Sequence, residues 1–149
     1  MIFPEFVSIH FDGACQPPRG GVAAYGFVVD GLVERYEEYG PAVAPGSAHA
    51  TNNVAEYAGA IRALEWLKGR GFKGEVLLLG DSELVIRQMN GDYAVRATHL
   101  RAYHERLRGL CTQFAEVRFH HVRREENRRA DELSKLGIDV ARRASAGRK

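Results

Sequence analysis

The sequence has little that is typical of a secreted, membrane-spanning or zinc-binding protein. It contains 2 cysteines in 149 residues; Cys15 and Cys111 match no CxxC spacing and are too few for a disulfide framework. No apolar run approaches the ~20 residues that a membrane-spanning helix needs, and the N-terminus shows no signal-peptide pattern. These absences predict a cytoplasmic protein with free thiols.

The net charge of +2 is also small, but the charges are unevenly distributed. Residues 1–95 carry 7 Lys/Arg against 12 Asp/Glu, whereas residues 96–149 carry 14 against 7. An acidic part that can hold metal and a basic part that can hold phosphate suit a nucleic-acid enzyme, although an Arg-rich solvated helix face would give the same count. The length predicts a single domain over 1–149, in which the tail 142–149 buries little and frays.

Hydrophobic periodicity predicts the element order βββαβααβα. The predicted strands are 6–12, 22–29, 32–39, 76–79 and 117–122, and the predicted helices are about 52–68, 82–89, 96–114 and 127–140. Asp30–Gly31 is a strong hairpin signal, so the first three strands form an antiparallel meander. The helical crossover before 76–79 requires parallel pairing. This order predicts an α/β fold, with a five-stranded mixed sheet of three antiparallel and two further parallel strands and helices on both faces.

Acidic residues stand where these elements meet. Asp12 ends the first strand, Asp81 follows the apolar strand, and Glu56 and Asp131 lie near helix starts. Each alone is explained by a turn, a helix cap or the helix dipole. Carboxylates crowded together at adjacent strand ends repel one another and are costly to bury, and a bound cation removes that cost. Oxygen ligands without cysteine or histidine favour Mg²⁺ or Mn²⁺ over zinc.

Five short motifs make the chain resemble type 1 ribonuclease H over about residues 5–140. They are FDG at 11–13, GG at 20–21, TNNVAE at 51–56, GDS at 80–82 and REENRRAD at 124–131. The resemblance implies the ribonuclease H-like fold and a set of catalytic metal ligands made of Asp12, Glu56, Asp81 and Asp131. It further implies that Asp12 bridges two Mg²⁺ ions, for which Mn²⁺ is a substitute. Glu56 and Asp81 then hold one ion, and Asp131 holds the other.

The activity implied by this resemblance is cleavage of the RNA strand of an RNA/DNA hybrid, leaving 5′-phosphate and 3′-hydroxyl ends. The enzyme is expected to be a monomer without an obligatory protein partner. The chain resembles a short branch of the family, and this branch adds duplex RNA as a second expected substrate. Two alternatives stay open at this point. One is a non-catalytic hybrid-binding module, and the other is a DNA-cutting, resolvase-like nuclease of the same superfamily.

Further residues match positions at which the family contacts its substrate. They are Gly13, Asn52, Asn53, Ser82, Glu83, Arg123, Arg124 and Asn127. Asparagine suits the reading of 2′-hydroxyls in a wide, shallow minor groove because its side chain both donates and accepts hydrogen bonds. Thr51 or Asn52 could instead cap the first helix, and Asn127 the last one. Glu83 stands where a neutral amide is common, so it either relaxes strand selection or faces solvent.

Two features of many family members are missing. The loop before Asp131 is short and lacks the family's histidine, while His120 and His121 fall on the last strand and are interpreted as structural. Arg123 or Arg124 could partly replace that histidine by holding the leaving phosphate. The basic protrusion is also absent, because 90–98 is too short for it. Phosphate binding would then depend on Arg96, Arg101, Arg108 and the arginines of 123–129.

Overall fold

The structure is a computed structural model that describes residues 3–44 and 47–146. Within these residues, five strands form one sheet in the order β3-β2-β1-β4-β5. The strands are β1 (Phe6–Gln16), β2 (Val22–Asp30), β3 (Tyr36–Pro41), β4 (Glu75–Gly80) and β5 (Glu116–His121). β1 and β3 pair antiparallel with β2, whereas β4 pairs parallel with both β1 and β5. The predicted mixed sheet is confirmed, and the alternating last strand lies at its edge.

Helices cover both faces of this sheet, as predicted. They are α1 (Asn52–Gly69), α2 (Glu83–Met89), α3 (Thr98–Cys111) and α4 (Arg128–Ala146), with a 3₁₀ turn at Arg124–Glu126. Successive residues of a strand point to opposite faces. Phe27 accordingly joins the core cluster that contains Leu64 of α1, while a Cβ at Gly26 would lie 2.6 Å from Cβ of Leu133 on α4. None of the described helices is both long and apolar enough to span a membrane.

The first strand is longer than predicted, which changes the setting of Asp12. β1 does not end there, because β2 continues to pair with it as far as Gln16 opposite Val22. The parallel pairing with β4 ends earlier, at Phe11 opposite Gly80. Asp12 is therefore the first residue beyond the parallel pair, but it lies inside an antiparallel ladder. The strand end predicted from the sequence is therefore correct for β4 and wrong for β1, which continues to Gln16.

The connection between β2 and β3 also differs from the prediction. A two-residue turn at Asp30–Gly31 would start the third strand at Leu32, but the register pairs Val29 with Tyr36 and leaves a longer loop. The ring of Tyr36 stacks on Trp66 of α1 at 3.9 Å between centroids, which fixes where β3 begins. Tertiary packing thus overrides the local turn signal.

The last helix continues beyond its predicted end. α4 includes the first five residues of the segment 142–149, for which the sequence predicts fraying. Residues 147–149 lie outside the described part of the chain. Fraying concerns motion and stays a prediction, as does the single-domain assignment for 1–149.

Candidate active site

Three carboxylates from three different elements converge beyond the carboxyl end of β4. Asp12 comes from β1, Glu56 from α1, and Asp81 from the residue that follows β4, and one oxygen of each lies within 4.8 Å of the others. Parallel pairing places the end of β4 beside Asp12, where open α/β sheets bind ligands. Glu56 lies in the second turn of α1 rather than the first, because α1 begins at Asn52.

Local hydrogen bonds set these side chains in place. The Thr51 hydroxyl caps α1 by accepting from the Val54 amide at 3.2 Å. The Ser82 hydroxyl caps α2 in the same way. The Gly13 amide donates to Oδ1 of Asp12 at 2.9 Å. A side chain at Gly13 is excluded, since its Cβ would lie 2.2 Å from the Ala55 carbonyl carbon, so glycine lets α1 approach β1 here.

The crowded carboxylates are buried and electrostatically strained. Burial, reinforced by the charge of Asp81 and opposed by a hydrogen bond with Glu56, raises the pKa of Asp12 to about 7. Burial and the charge of Asp12 raise the pKa of Glu56 well above its ordinary value. Burial and the charge of Asp131 raise the pKa of Asp81. The site therefore resists carrying several negative charges when no cation is present.

The donor atoms fit a divalent metal ion. Oε2 of Glu56 is buried and has no hydrogen-bond partner among the described residues. An orphaned carboxylate oxygen facing two more carboxylates is costly unless something electropositive lies against it. Hard oxygen donors are those that Mg²⁺ and Mn²⁺ prefer. The residues present can hold such an ion.

Asp131 lines the same groove but has a different partner. It lies in the first turn of α4, and its Oδ2 accepts from Nζ of Lys135 at 2.9 Å. Its oxygens fall outside the tight group formed by the other three carboxylates. It is still close enough for its charge to raise the pKa of Asp81. The structure thus brings all four predicted acids together, three of them in close contact.

Asn127 serves this site from behind and does not line the groove. Its side chain is 1% exposed, and its Nδ2 donates to the carbonyl of Phe11 at 2.9 Å. Its backbone carbonyl accepts a hydrogen bond from the Asp131 backbone amide at 3.1 Å. The interpretation of Asn127 as a substrate contact is therefore wrong for its buried side chain. The residue instead connects the backbone next to Asp12 to the helix that carries Asp131.

An open groove of about 830 Å³ extends over the carboxylates. Of the predicted substrate contacts, it is lined by Gly13, Asn52, Asn53, Ser82, Arg123 and Arg124. Asn52 does not cap α1; its Oδ1 accepts from the Cys15 amide at 2.8 Å and so holds the extension of β1. Arg124 is close enough to Asp81 for its charge to lower that pKa. Positive charge therefore borders the acidic floor of the groove.

Other predicted contacts lie elsewhere. Glu83 is exposed outside the groove, and its Oε1 accepts from Nε of Arg87 at 2.9 Å. Arg101 and Arg108 line a separate depression of about 510 Å³ between α2 and α3. Of the two interpretations of Glu83, the geometry favours the one in which it faces solvent.

Sequence reasoning missed two basic residues of the groove. His121, interpreted as structural, lines it with Nε2 3.3 Å from the Asp81 carbonyl oxygen. The pairing of His121 with Gly80 between β5 and β4 places it there, and no local sequence pattern gives that register. Lys135 also lines the groove, and its position four residues after Asp131 on a helix was the available signal.

Comparison with known proteins now identifies the family. A family model described as reverse transcriptase-like matches residues 10–137. The protein named Ribonuclease HI from the archaeon Halobacterium salinarum is 36% identical over 135 residues, which cover 91% of this chain and 65% of that protein. The crystal structure of RNase H1 from the same organism has a TM-score of 0.76 at 36% identity, with 90% of this chain and 98% of that one covered. The chain belongs to the type 1 ribonuclease H family.

Two more type 1 ribonuclease H structures are similar over nearly their whole length. The N-terminal RNase H domain of Rv2228c from Mycobacterium tuberculosis has a TM-score of 0.79 at 30% identity, covering 95% of this chain and 99% of that one. LC11-RNase H1, isolated from compost and solved with an RNA/DNA hybrid, has a TM-score of 0.76 at 33% identity, covering 91% and 98%. The chain spans 65% of the archaeal sequence and 26% of the mycobacterial protein, which is bifunctional.

Proposed function

We propose that this chain is an endonuclease that hydrolyses the RNA strand of RNA/DNA hybrids with two divalent metal ions, leaving 5′-phosphate and 3′-hydroxyl ends. The observation that carries the proposal is the convergence of two buried carboxylates, Asp12 and Glu56, and the half-buried Asp81 at the floor of an open groove. Such a group has no structural use that would offset the cost of burying it. The hybrid bound to LC11-RNase H1, a relative at 33% identity, supports the substrate class.

The four carboxylates would divide between two ions. Asp12 would contribute to both ions, and Glu56 and Asp81, whose oxygens lie within 4.8 Å of an Asp12 oxygen, would hold one of them. Asp131 would hold the other ion after leaving Lys135. When bound, a pair of Mg²⁺ ions supplies Lewis acidity for the charge that develops at phosphorus. Mn²⁺ offers the same coordination chemistry and is the expected substitute.

The other groove residues would bind and orient the substrate. Arg123 and Arg124 lie at one border of the groove, where their guanidinium groups can hold phosphate oxygens of the backbone. Asn53, which lines the groove, can exchange hydrogen bonds with a 2′-hydroxyl, the group that distinguishes RNA from DNA. His121 has a ring nitrogen near Asp81 and can contact the scissile phosphate from the side of β5.

A cleavage assay with three duplexes tests the proposal. End-labelled RNA/DNA hybrid, duplex RNA and duplex DNA are each incubated with Mg²⁺, with Mn²⁺ and with chelator, beside Asp12→Asn as the inactive control. We expect metal-dependent cutting of the RNA strand of the hybrid. Binding of hybrid without cutting would contradict the proposal and favour the non-catalytic hybrid-binding module. Cutting of duplex DNA alone would favour the resolvase-like nuclease. Cutting of duplex RNA would extend the substrate range.

A further inference from the structure

Lys135 places a positive charge against one of the four acids of the site. Its Nζ lies 2.9 Å from Oδ2 of Asp131, and its side chain lines the groove. The two residues are four apart on α4 and so lie on the same face of the helix. The side chain of Lys135 is 53% exposed and that of Asp131 is 22% exposed, which leaves the pair free to open.

The other acids have no such partner. Within residues 3–44 and 47–146, no Lys or Arg forms an ion pair with Asp12, Glu56 or Asp81. The site is therefore divided into a part without an ion pair, where Arg124 is the nearby positive charge, and a part, at Asp131, whose carboxylate is already paired with an ammonium. An ammonium at hydrogen-bond distance occupies the oxygen that a metal ion would need, and it repels a cation that approaches the same carboxylate.

We infer that Lys135 is a positioning residue that holds Asp131 in the metal-free site and competes with the second metal ion for its carboxylate. The inference rests on the proposed two-metal function and adds to it an order in which the two ions bind. The ion held by Asp12, Glu56 and Asp81 binds without competition, whereas the ion at Asp131 binds only when Lys135 moves away. A phosphate of the substrate can draw Lys135 off Asp131, because Lys135 and Asp131 line the groove in which the substrate would bind. Filling of the second position is then coupled to substrate binding.

A purely structural role for Lys135 makes a different prediction. An i,i+4 ion pair on an exposed helix stabilises the helix slightly, and its loss changes stability but not metal affinity. The two roles therefore separate in a metal-binding measurement made on the full chain without substrate.

The test is isothermal titration calorimetry of Mn²⁺ and of Mg²⁺ into the metal-free chain at about 0.15 M salt, where charges more than ~8 Å apart are largely screened. Lys135→Met removes the charge, and Lys135→Gln must reproduce its effect. Arg129→Met is the matched control, since Arg129 also forms an ion pair from α4, with Glu37, but does not line the groove. We expect the weaker binding event to strengthen about fivefold in both Lys135 variants, the range of an exposed ion pair, and to stay unchanged in Arg129→Met.

Each outcome decides the inference. A weak event that appears only in the Lys135 variants also supports it, because the ammonium then suppresses that event in the natural chain. Unchanged isotherms, or the same shift in Arg129→Met, overturn it. Asp131→Asn should abolish the weaker metal-binding event. Adding Lys135→Met to that variant should then cause no further change in metal binding. If the Lys135 effect is present but no nucleic acid is cut with either metal, the proposed function fails and the competition stands.

Discussion

The carboxylates on the two sides of the active-site groove differ in whether a positively charged side chain is paired with them. On the sheet side, the buried carboxylates of Asp12 and Glu56 lie close to the half-buried Asp81, and burial with mutual repulsion raises the pKa values of all three. On the helix side, Asp131 has a lysine on its carboxylate. The sheet side thus depends on a cation from solution, whereas the helix side has its own.

This difference indicates which part of the site is fixed and which part moves. Two of the sheet-side acids come from β1 and the residue after β4, whose backbones are held by strand pairing on the sheet. Asp131 belongs to a helix joined to β1 through Asn127, and a rotation of its partly exposed side chain would be enough to exchange Lys135 for another partner.

Asp12→Asn should have the largest effect on activity. It removes the charge of the residue that we propose bridges two ions, and we expect cleavage of hybrid to fall by on the order of a thousandfold, as when an electrostatic stabiliser of a transition state is lost. The metal-free variant should melt at a higher temperature than the natural chain, because it relieves carboxylate repulsion. Single-turnover cleavage and differential scanning calorimetry measure the two effects. A lower melting temperature without metal would contradict the crowded sheet side.

The pH dependence of metal-free stability should show the same repulsion. The pKa of Asp12 rises from 3.8 to about 7 on folding, so between these values the folded state binds more protons than the unfolded state. Stability must then fall as pH rises through this window, by roughly 2–4 kcal/mol for a shift of this size. Urea unfolding at pH 4.5 and pH 7.5, with chelator present, measures the difference. The slope should flatten in Asp12→Asn and when saturating Mg²⁺ is added; a flat profile for the metal-free natural chain would argue against buried repulsion.

Asn127→Ala tests the connection between the two sides. It leaves the Phe11 carbonyl without its donor and loosens α4 against β1, so we expect a 10- to 100-fold loss of activity, the usual cost of removing an outer-shell partner of a metal site. Asn90→Ala is the matched control, because Asn90 also donates to a strand carbonyl, that of Phe119, but neither residue lines the groove. Equal losses in both variants, measured as kcat and KM on hybrid, would mean that Asn127 has no special part in the site.

Glu83→Gln should have the smallest effect. Glu83 carries a negative charge near the sheet side, but it pairs with Arg87 and lies outside the groove. We expect cleavage rates to change less than about twofold and stability by no more than ~0.5 kcal/mol, as for exposed helical ion pairs. The measurement is the ratio of cutting in hybrid to cutting in duplex RNA. A clear change in that ratio would show that Glu83 takes part in strand selection.

Much of the fold and the convergence of the acids follow from patterns that act locally. The apolar run before Asp81 indicates a buried strand, which the structure buries fully at Val76 and Leu78 but only partly on the opposite face, and the helical crossover before it requires parallel pairing with β1. These two facts bring Asp81 beside Asp12 without knowledge of any contact. Glu56 follows because a helix must begin near the same sheet edge, although its place in the second turn depends on which residue caps α1.

Other features depend on contacts that no local pattern contains. The β2–β3 loop follows from stacking of Tyr36 on Trp66, two residues 30 positions apart. The orientation of Asn127 toward Phe11 is a tertiary choice, since the same residue type could equally have capped α4. His121 belongs to the groove through the register of the edge strand, which sequence alternation leaves open by two residues in either direction.

The continuation of β1 beyond the parallel pair has a consequence for how the molecule comes apart. Asp12 lies within the ladder that joins the two central strands, so its backbone is released only when that ladder opens. Loops and helix ends open in local fluctuations, whereas central strands separate only in global unfolding. The anchor of the metal site is thus part of the last structure to melt, and heating should abolish metal binding at Asp12 and cooperative folding in the same transition.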